Sequence, residues 1–189
     1  FLNHQFVELI KTQGYDLRFH IQVYSSENKS GYLYKNFAVT FYLTNKPIID
    51  PGDIKTNLDN CDAQVQTHID DSNYMDSEEC DDENELIIKW VGTYGSGRGK
   101  GFAKYLILLS CLYCNIICPR IMFTKLDDDS DKYANGIADP EKSELAKSSN
   151  IYCNLGYEYE DKSGGPEMQG TIRDILNKHN IAFVPESEP

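Results

Sequence analysis

Residues 94–106 read YGSGRGKGFAKYL, with Gly95, Gly97, Gly99 and Gly101 at alternate positions, Arg98 and Lys100 between them, and an apolar helical pattern directly after. A glycine-rich turn that carries a chain from strand to helix bares backbone N–H groups at the positive end of the helix. That arrangement suits an anion, above all phosphate or pyrophosphate. Spacing excludes two common phosphate loops. A Walker A loop needs Gly five residues before its Gly-Lys pair and Ser or Thr after it, whereas Gly99-Lys100 has Tyr94 upstream and Gly101 downstream. The dinucleotide pattern G-x-G-x-x-G, begun at Gly95 and Gly97, meets Lys100 at its third glycine, and the residues before it read as a hairpin rather than the start of a βαβ unit.

Such a loop needs a strand before it and a helix after it. ELIIKWVGTY (85–94) is a nearly continuous apolar run, as in a strand buried on both faces, and a helix is expected over about 101–115, closed by Pro119. Upstream, YDLRFHIQVYS alternates Leu17, Phe19, Ile21 and Val23, and GYLYKNFAVTFYLTN is rich in β-branched and aromatic residues; joined by the turn-rich SENKSG, they predict an antiparallel hairpin. Residues 3–13 show Phe6, Leu9 and Ile10 at helical spacing, stopped by Gly14. Downstream, RIMFTKL and GYEYED are expected strands, residues 140–154 a helix, and 164–189 a helix with a short tail. This order describes an α/β (α+β) domain with helices packed on a mixed sheet.

Two quotations support a family resemblance. Arg98-Gly99-Lys100-Gly101-Phe102-Ala103 resembles the Arg/Gln-x-x-Gly-x-Gly/Ala signature of the GNAT superfamily of N-acetyltransferases, and YCNLGY (152–157) resembles the Tyr-x-x-x-Gly-Phe ending of that family's next helix, with Tyr157 in place of Phe. The resemblance covers about 85–160 and extends to the hairpin at 15–45. It implies a GNAT-like fold, a mixed, mainly antiparallel central sheet with flanking helices, in a single domain over 1–189 with an acidic insertion at about 46–84.

It also implies acetyl-CoA as co-substrate. Arg98, Gly99, Lys100, Gly101, Phe102 and Ala103 are then the pyrophosphate loop, and the backbone of Val91, Gly92 and Thr93 meets the pantetheine arm and the thioester. Tyr152 matches the family's usual general acid to the CoA thiolate; a phenol of pKa near 10 is protonated at neutral pH and able to donate. A backbone N–H near Thr93 is expected to meet the oxyanion. The acceptor is a primary amine, on a small molecule or a protein, that attacks directly. The alternative is a catalytically inactive GNAT-fold binding or interaction module, with or without retained CoA binding. Glu85 and Asp127 are candidate bases, while His20 and His68 lack a motif. Three departures bear on the acceptor side: the family's first strand and helix are reduced to 1–14, the 46–84 linker is long, and 127–144 lengthens the next connection.

Composition narrows the partners. The net charge is −12, but residues 57–85 hold 11 Asp and Glu and no Lys or Arg, so the rest of the chain is nearly neutral. That stretch reads as a solvated loop or as a lure for a cationic acceptor. Without a basic stripe, nucleic acid is not expected as a ligand. Cys111, Cys114 and Cys118 fall at i, i+3 and i+7 and read as a core stripe rather than a metal site, so no metal is expected; Cys61 and Cys80 permit a disulfide without implying one, and Cys153 reads as helix packing. The longest apolar run, 105–118, is too short to span a bilayer, no signal peptide is apparent, and a cytoplasmic location is expected.

Overall fold

Seven strands form one sheet in the computed structural model, which describes residues 10–27, 33–47, 53–70, 85–128, 150–160 and 167–182. The hairpin follows from its alternation. β1 (Asp16–Glu27) and β2 (Leu33–Thr44) pair antiparallel from Asp16 opposite Thr44 to Glu27 opposite Leu33. Leu17, Phe19 and Ile21 therefore share a face with Leu43, Phe41 and Val39. The β2 residues of that face are buried, whereas Phe19 and Val23 are exposed on the outer strand. Helical residues 10–12 end in a Schellman turn: Gly14, at φ +69°, donates its N–H to Lys11 C=O, and Tyr15 N–H donates to Ile10 C=O. The helix expected over residues 3–9 lies outside the described residues.

Within the expected acidic insertion at about 46–84, residues 53–70 carry a helix and a strand of the sheet. Ile54–Asp59 form helix α1, capped by Asp53, whose carboxylate accepts Thr56 N–H at 3.0 Å. Ala63–Asp70 form strand β3, paired antiparallel with β2 on one side and with β4 (Glu85–Thr93) on the other. Ala63, Val65, Thr67 and Ile69 alternate with Gln64, Gln66, His68 and Asp70, and the first four are buried. Residues 48–52 and 71–84 of that stretch lie outside the described residues.

A 3-10 turn (Gly95–Gly97) leads from β4 into α2 (Phe102–Ile117), which lies across β2, β3 and β4. Phe102, Leu106, Ile107, Cys111 and Cys114 are wholly buried beneath it, and full burial of a side chain such as Phe102 contributes about 2–3 kcal/mol. Cys111, Cys114 and Cys118 face the core as their spacing requires, and Cys61 is a free thiol. Burial pushes the Cys111 thiol up to about 12, and burial with the adjacent Asp62 charge pushes Cys61 up to about 11. Both are therefore expected to resist alkylation of the native protein at pH 8 and to react once denaturant is added, as read by mass spectrometry. Rapid native labelling of the pair contradicts this packing.

β5 (Phe123–Asp127) runs parallel to β4, and α3 (Ile151–Leu155), β6 (Glu158–Tyr159), β7 (Glu167–Thr171) and α4 (Ile172–Lys178) follow. The tail expected as one helix divides: its first part enters the sheet as β7, between β5 and β6. Thr171 then caps α4, accepting Asp174 N–H at 3.1 Å. Of the helix expected over 140–154, residues 140–149 lie outside the described residues. The strand order is β1-β2-β3-β4-β5-β7-β6, with β4 and β5 the one parallel pair among the described strands. This is the architecture expected from the sequence, a mixed, mainly antiparallel sheet with flanking helices.

Candidate active site

Two parallel strands of unequal length define the site. β4 and β5 are laddered only from Glu85 opposite Phe123 to Ile88 opposite Leu126, after which β4 continues to Thr93 without β5 beside it. A bulge marks the end of that ladder. On the other side of β4, Thr67 pairs with Ile88 and Gln66 with Trp90, so Lys89 is an extra residue, and a bulge bends and twists its strand.

Tyr94 N–H donates to Asp62 C=O at 2.7 Å, on the β3 side. Backbone groups alternate in direction along an extended strand, so Gly92 also faces β3, while Val91 and Thr93 turn N–H and C=O away from β3, to the side on which the described β5 has ended. Two of the three β4 residues expected at the cofactor thus present backbone groups there. Gly92 serves another purpose, because a Cβ on it would collide with the Tyr94 phenol. Tyr94 Oη sits over it, accepting from Trp90 Nε1–H at 2.9 Å and from Gln64 Nε2–H at 3.2 Å.

The glycine loop crowns the open end of β4. Gly95, Gly99 and Gly101 have φ of +47°, +74° and +73°, a region that costs other residues about 1–2 kcal/mol each. Gly97 is buried, and a Cβ there would overlap the backbone carbonyl of Asp62. Asp62 ties the loop down: Oδ1 accepts Ser96 Oγ–H at 2.8 Å, and Oδ2 accepts Asn45 N–H at 3.1 Å. Gly97→Ala is expected to lower stability by about 1–3 kcal/mol in urea unfolding, and an unchanged midpoint contradicts this close approach.

Above that anchor the backbone is open. Gly101 offers α2 no side-chain cap, and the N–H groups of Gly99, Lys100, Gly101, Phe102 and Ala103 make no hydrogen bond among the described residues. Arg98 is exposed beside them, whereas Phe102 buries its ring and presents only its N–H. The Lys100 side chain turns to the foot of the loop: Nζ donates to Tyr15 Oη at 3.1 Å and lies 4.9 Å from the Tyr15 ring centroid.

Tyr152 belongs to the β5 side of the site. Because β4 and β5 run parallel, their C-terminal ends share one edge of the sheet, and buried Asp128 follows directly on β5. Its Oδ2 accepts Asn150 Nδ2–H at 2.6 Å and Tyr159 Oη–H at 2.7 Å. Asn150 caps α3, so Tyr152 is tethered to the same end of the strand pair as the glycine loop. Its half-buried ring meets Tyr157 edge to face, with centroids 6.5 Å apart. Tyr157 Oη lies 3.1 Å from Thr124 Oγ1 and 4.0 Å from Cys111 Sγ, which explains a Tyr where the signature has Phe: the buried hydroxyl has polar partners. Desolvation first, and then the neighbouring Cys111, hold its pKa well above the usual phenol range.

The candidate bases separate. Glu85 lies at the N-terminal end of the strand pair, its Oε2 3.0 Å from Lys125 Nζ, and Asp127 is exposed at the C-terminal end. Both line a cavity of about 270 Å³ together with Glu160, Glu167, Lys89 and Lys125, and Lys125 Nζ also lies 3.8 Å from Glu160 Oε1. His20 is half-buried on the edge strand β1, and His68 is half-buried on β3 opposite Ile87 of β4. Asp62, Tyr15, Asp128 and Asn150 were not singled out by sequence reasoning. Asn150 alone had a local signal, a capping residue type directly before a helical segment.

No protein-family model matches the sequence, and no curated protein matches it. Among solved structures the chain is similar to mutant forms of the spermidine/spermine N-acetyltransferase SpeG from Vibrio cholerae, at 14% identity and TM-score 0.41, over 75% of this chain and 69% of that one. It is similar to a mutant AtaT toxin bound to the C-terminus of the antitoxin AtaR and acetyl-CoA, at 8% identity and TM-score 0.43, over 84% of this chain and 96% of that one. It is also similar to the KacTA–DNA complex, at 8% identity and TM-score 0.43, over 86% of this chain and 99% of that one. At these identities the likeness carries no residue-by-residue correspondence, and the expected absence of a nucleic-acid ligand gains no support from it. Among the described residues, no helix is long and apolar enough to cross a membrane.

Proposed function

We propose that the chain is an acetyl-CoA-dependent N-acetyltransferase. The observation that carries this reading is the convergence, at the C-terminal end of β4, of five consecutive N–H groups and two backbone positions on β4 that make no close hydrogen bond among the described residues. The N–H groups of residues 99–103 and the Arg98 guanidinium suit the diphosphate of CoA. The pantetheine arm is an extended chain bearing two amides, and Val91 and Thr93 offer it strand-like partners where the described β5 has ended. Thr93 N–H is the donor placed for the oxyanion as charge develops on the thioester oxygen.

A neutral primary amine attacks the thioester carbonyl carbon, the C–N bond forms, the C–S bond breaks, and the departing thiolate takes the Tyr152 hydroxyl proton. The amine's surplus proton leaves to solvent or to a carboxylate such as Asp127. The excess of carboxylates in the cavity supports an acceptor that is cationic before it loses that proton. The test is thiol release from acetyl-CoA with a panel of polyamines, aminoglycosides and lysine peptides. Release matched by acylated amine is expected. Thermal stabilisation by CoA with no release across the panel contradicts the enzyme reading and favours a CoA-binding interaction module.

A further inference from the structure

We infer that Asp128 and Asn150 act together as positioning residues that fix the backbone of Tyr152 at the C-terminal end of the strand pair, an inference that rests on Tyr152 being the proton donor. α3 has five residues, too few to hold a helix by its own ladder, so its placement comes from its two ends. At the start, Asn150 Oδ1 accepts Tyr152 N–H at 2.7 Å and Cys153 N–H at 3.2 Å. At the finish, Gly156 at φ +118° lets its own N–H and that of Tyr157 return to Tyr152 C=O at 3.1 and 3.0 Å. The N–H and the C=O of Tyr152 are therefore both held.

The orientation of the Asn150 carboxamide is the remaining freedom, and Asp128 removes it. The two ends of a carboxamide have nearly the same shape, but an ionised carboxylate only accepts, so it takes Nδ2–H and leaves Oδ1 to the helix. Asp128 itself is set by the sheet, since it follows β5 directly and accepts Tyr159 Oη–H from β6. The Asn150–Asp128 hydrogen bond, with a second from Asn150 Nδ2–H to Tyr159 Oη at 3.3 Å, thus transmits the position of β5 to the tyrosine.

The test exploits reversal of that bond. N150D keeps a good capping residue but sets carboxylate against carboxylate, so kcat is expected to fall about tenfold to a hundredfold, with KM for acetyl-CoA changed less than about twofold. D128N/N150D restores donor and acceptor in the opposite order and is expected to recover kcat to within about threefold of wild type. Amide hydrogen exchange over residues 150–157, which needs no acceptor, is expected to speed up in N150D and return toward wild type in the double variant. A folded N150D with wild-type exchange, or with wild-type kcat below its Tm, overturns the inference, as does a folded double variant without recovery. Y152F run in parallel separates the two readings: wild-type kcat in Y152F rejects Tyr152 as the donor, whereas loss in Y152F with none in N150D rejects the positioning role alone.

Discussion

Tyr152→Phe is expected to lower kcat by about 10²- to 10⁴-fold while leaving the Kd for acetyl-CoA within about twofold of wild type. The substitution removes one oxygen and keeps the ring, so the edge-to-face contact with Tyr157 persists and α3 retains the cap from Asn150. Nothing in the glycine loop changes. The loss therefore falls on the step in which the thiolate leaves, and kcat and kcat/KM drop together. Stopped-flow thiol release with the best amine reads it. A kcat within about threefold of wild type means that the thiolate finds its proton elsewhere.

The second large effect concerns binding. G99A/G101A is expected to weaken acetyl-CoA binding about 30- to 1000-fold, because each alanine costs about 1–2 kcal/mol at φ near +74° and the loop relaxes by turning its N–H groups away. Space is not the cause: a Cβ on Gly99 meets nothing within 4 Å, and one on Gly101 meets only Tyr105 Cε2 at 3.9 Å. Stability is therefore expected to fall by no more than the cost of the two strained residues. Gly97→Ala is the counterpart, a steric change against Asp62 that acts on stability through packing. Equal affinity in G99A/G101A contradicts a backbone cradle.

Legibility in the sequence followed the strength of local periodicity. The hairpin at 15–45 could be placed because apolar residues alternate along it over many positions, and the α2 stripe of Cys111, Cys114 and Cys118 because it buries one helix face. β3 was equally periodic, with Ala63, Val65, Thr67 and Ile69 in alternation, but it lies within an acidic stretch whose charge drew it into a presumed insertion. Asp59 precedes the strand, at the end of α1, and Asp62 is buried as the anchor of the loop. β7 was missed for another reason. EMQGT offers one buried apolar residue, Met168, before the stronger helical signal of Ile172, Ile175 and Leu176, and its place between β5 and β6 is a tertiary fact.

At the site, the glycines and the tyrosine stood out by type and spacing, whereas their supports did not. Tyr15 meets Lys100 across 85 positions, Asp62 meets Ser96 across 34, and Asp128 meets Asn150 across 22. Contacts over such separations leave no local pattern. Lys100 shows the consequence: its charge suggested a phosphate ligand, and only the fold reveals that Tyr15 holds it at the foot of the loop.

Calorimetric titration of CoA, set beside pantetheine, tests most directly whether the backbone of residues 99–103 grips a diphosphate. Saturable one-site heat with CoA, none with pantetheine at the same concentrations, and loss of the CoA signal in G99A/G101A are the predicted results. No heat with CoA, or equal heat from the molecule that lacks the diphosphate, contradicts the account.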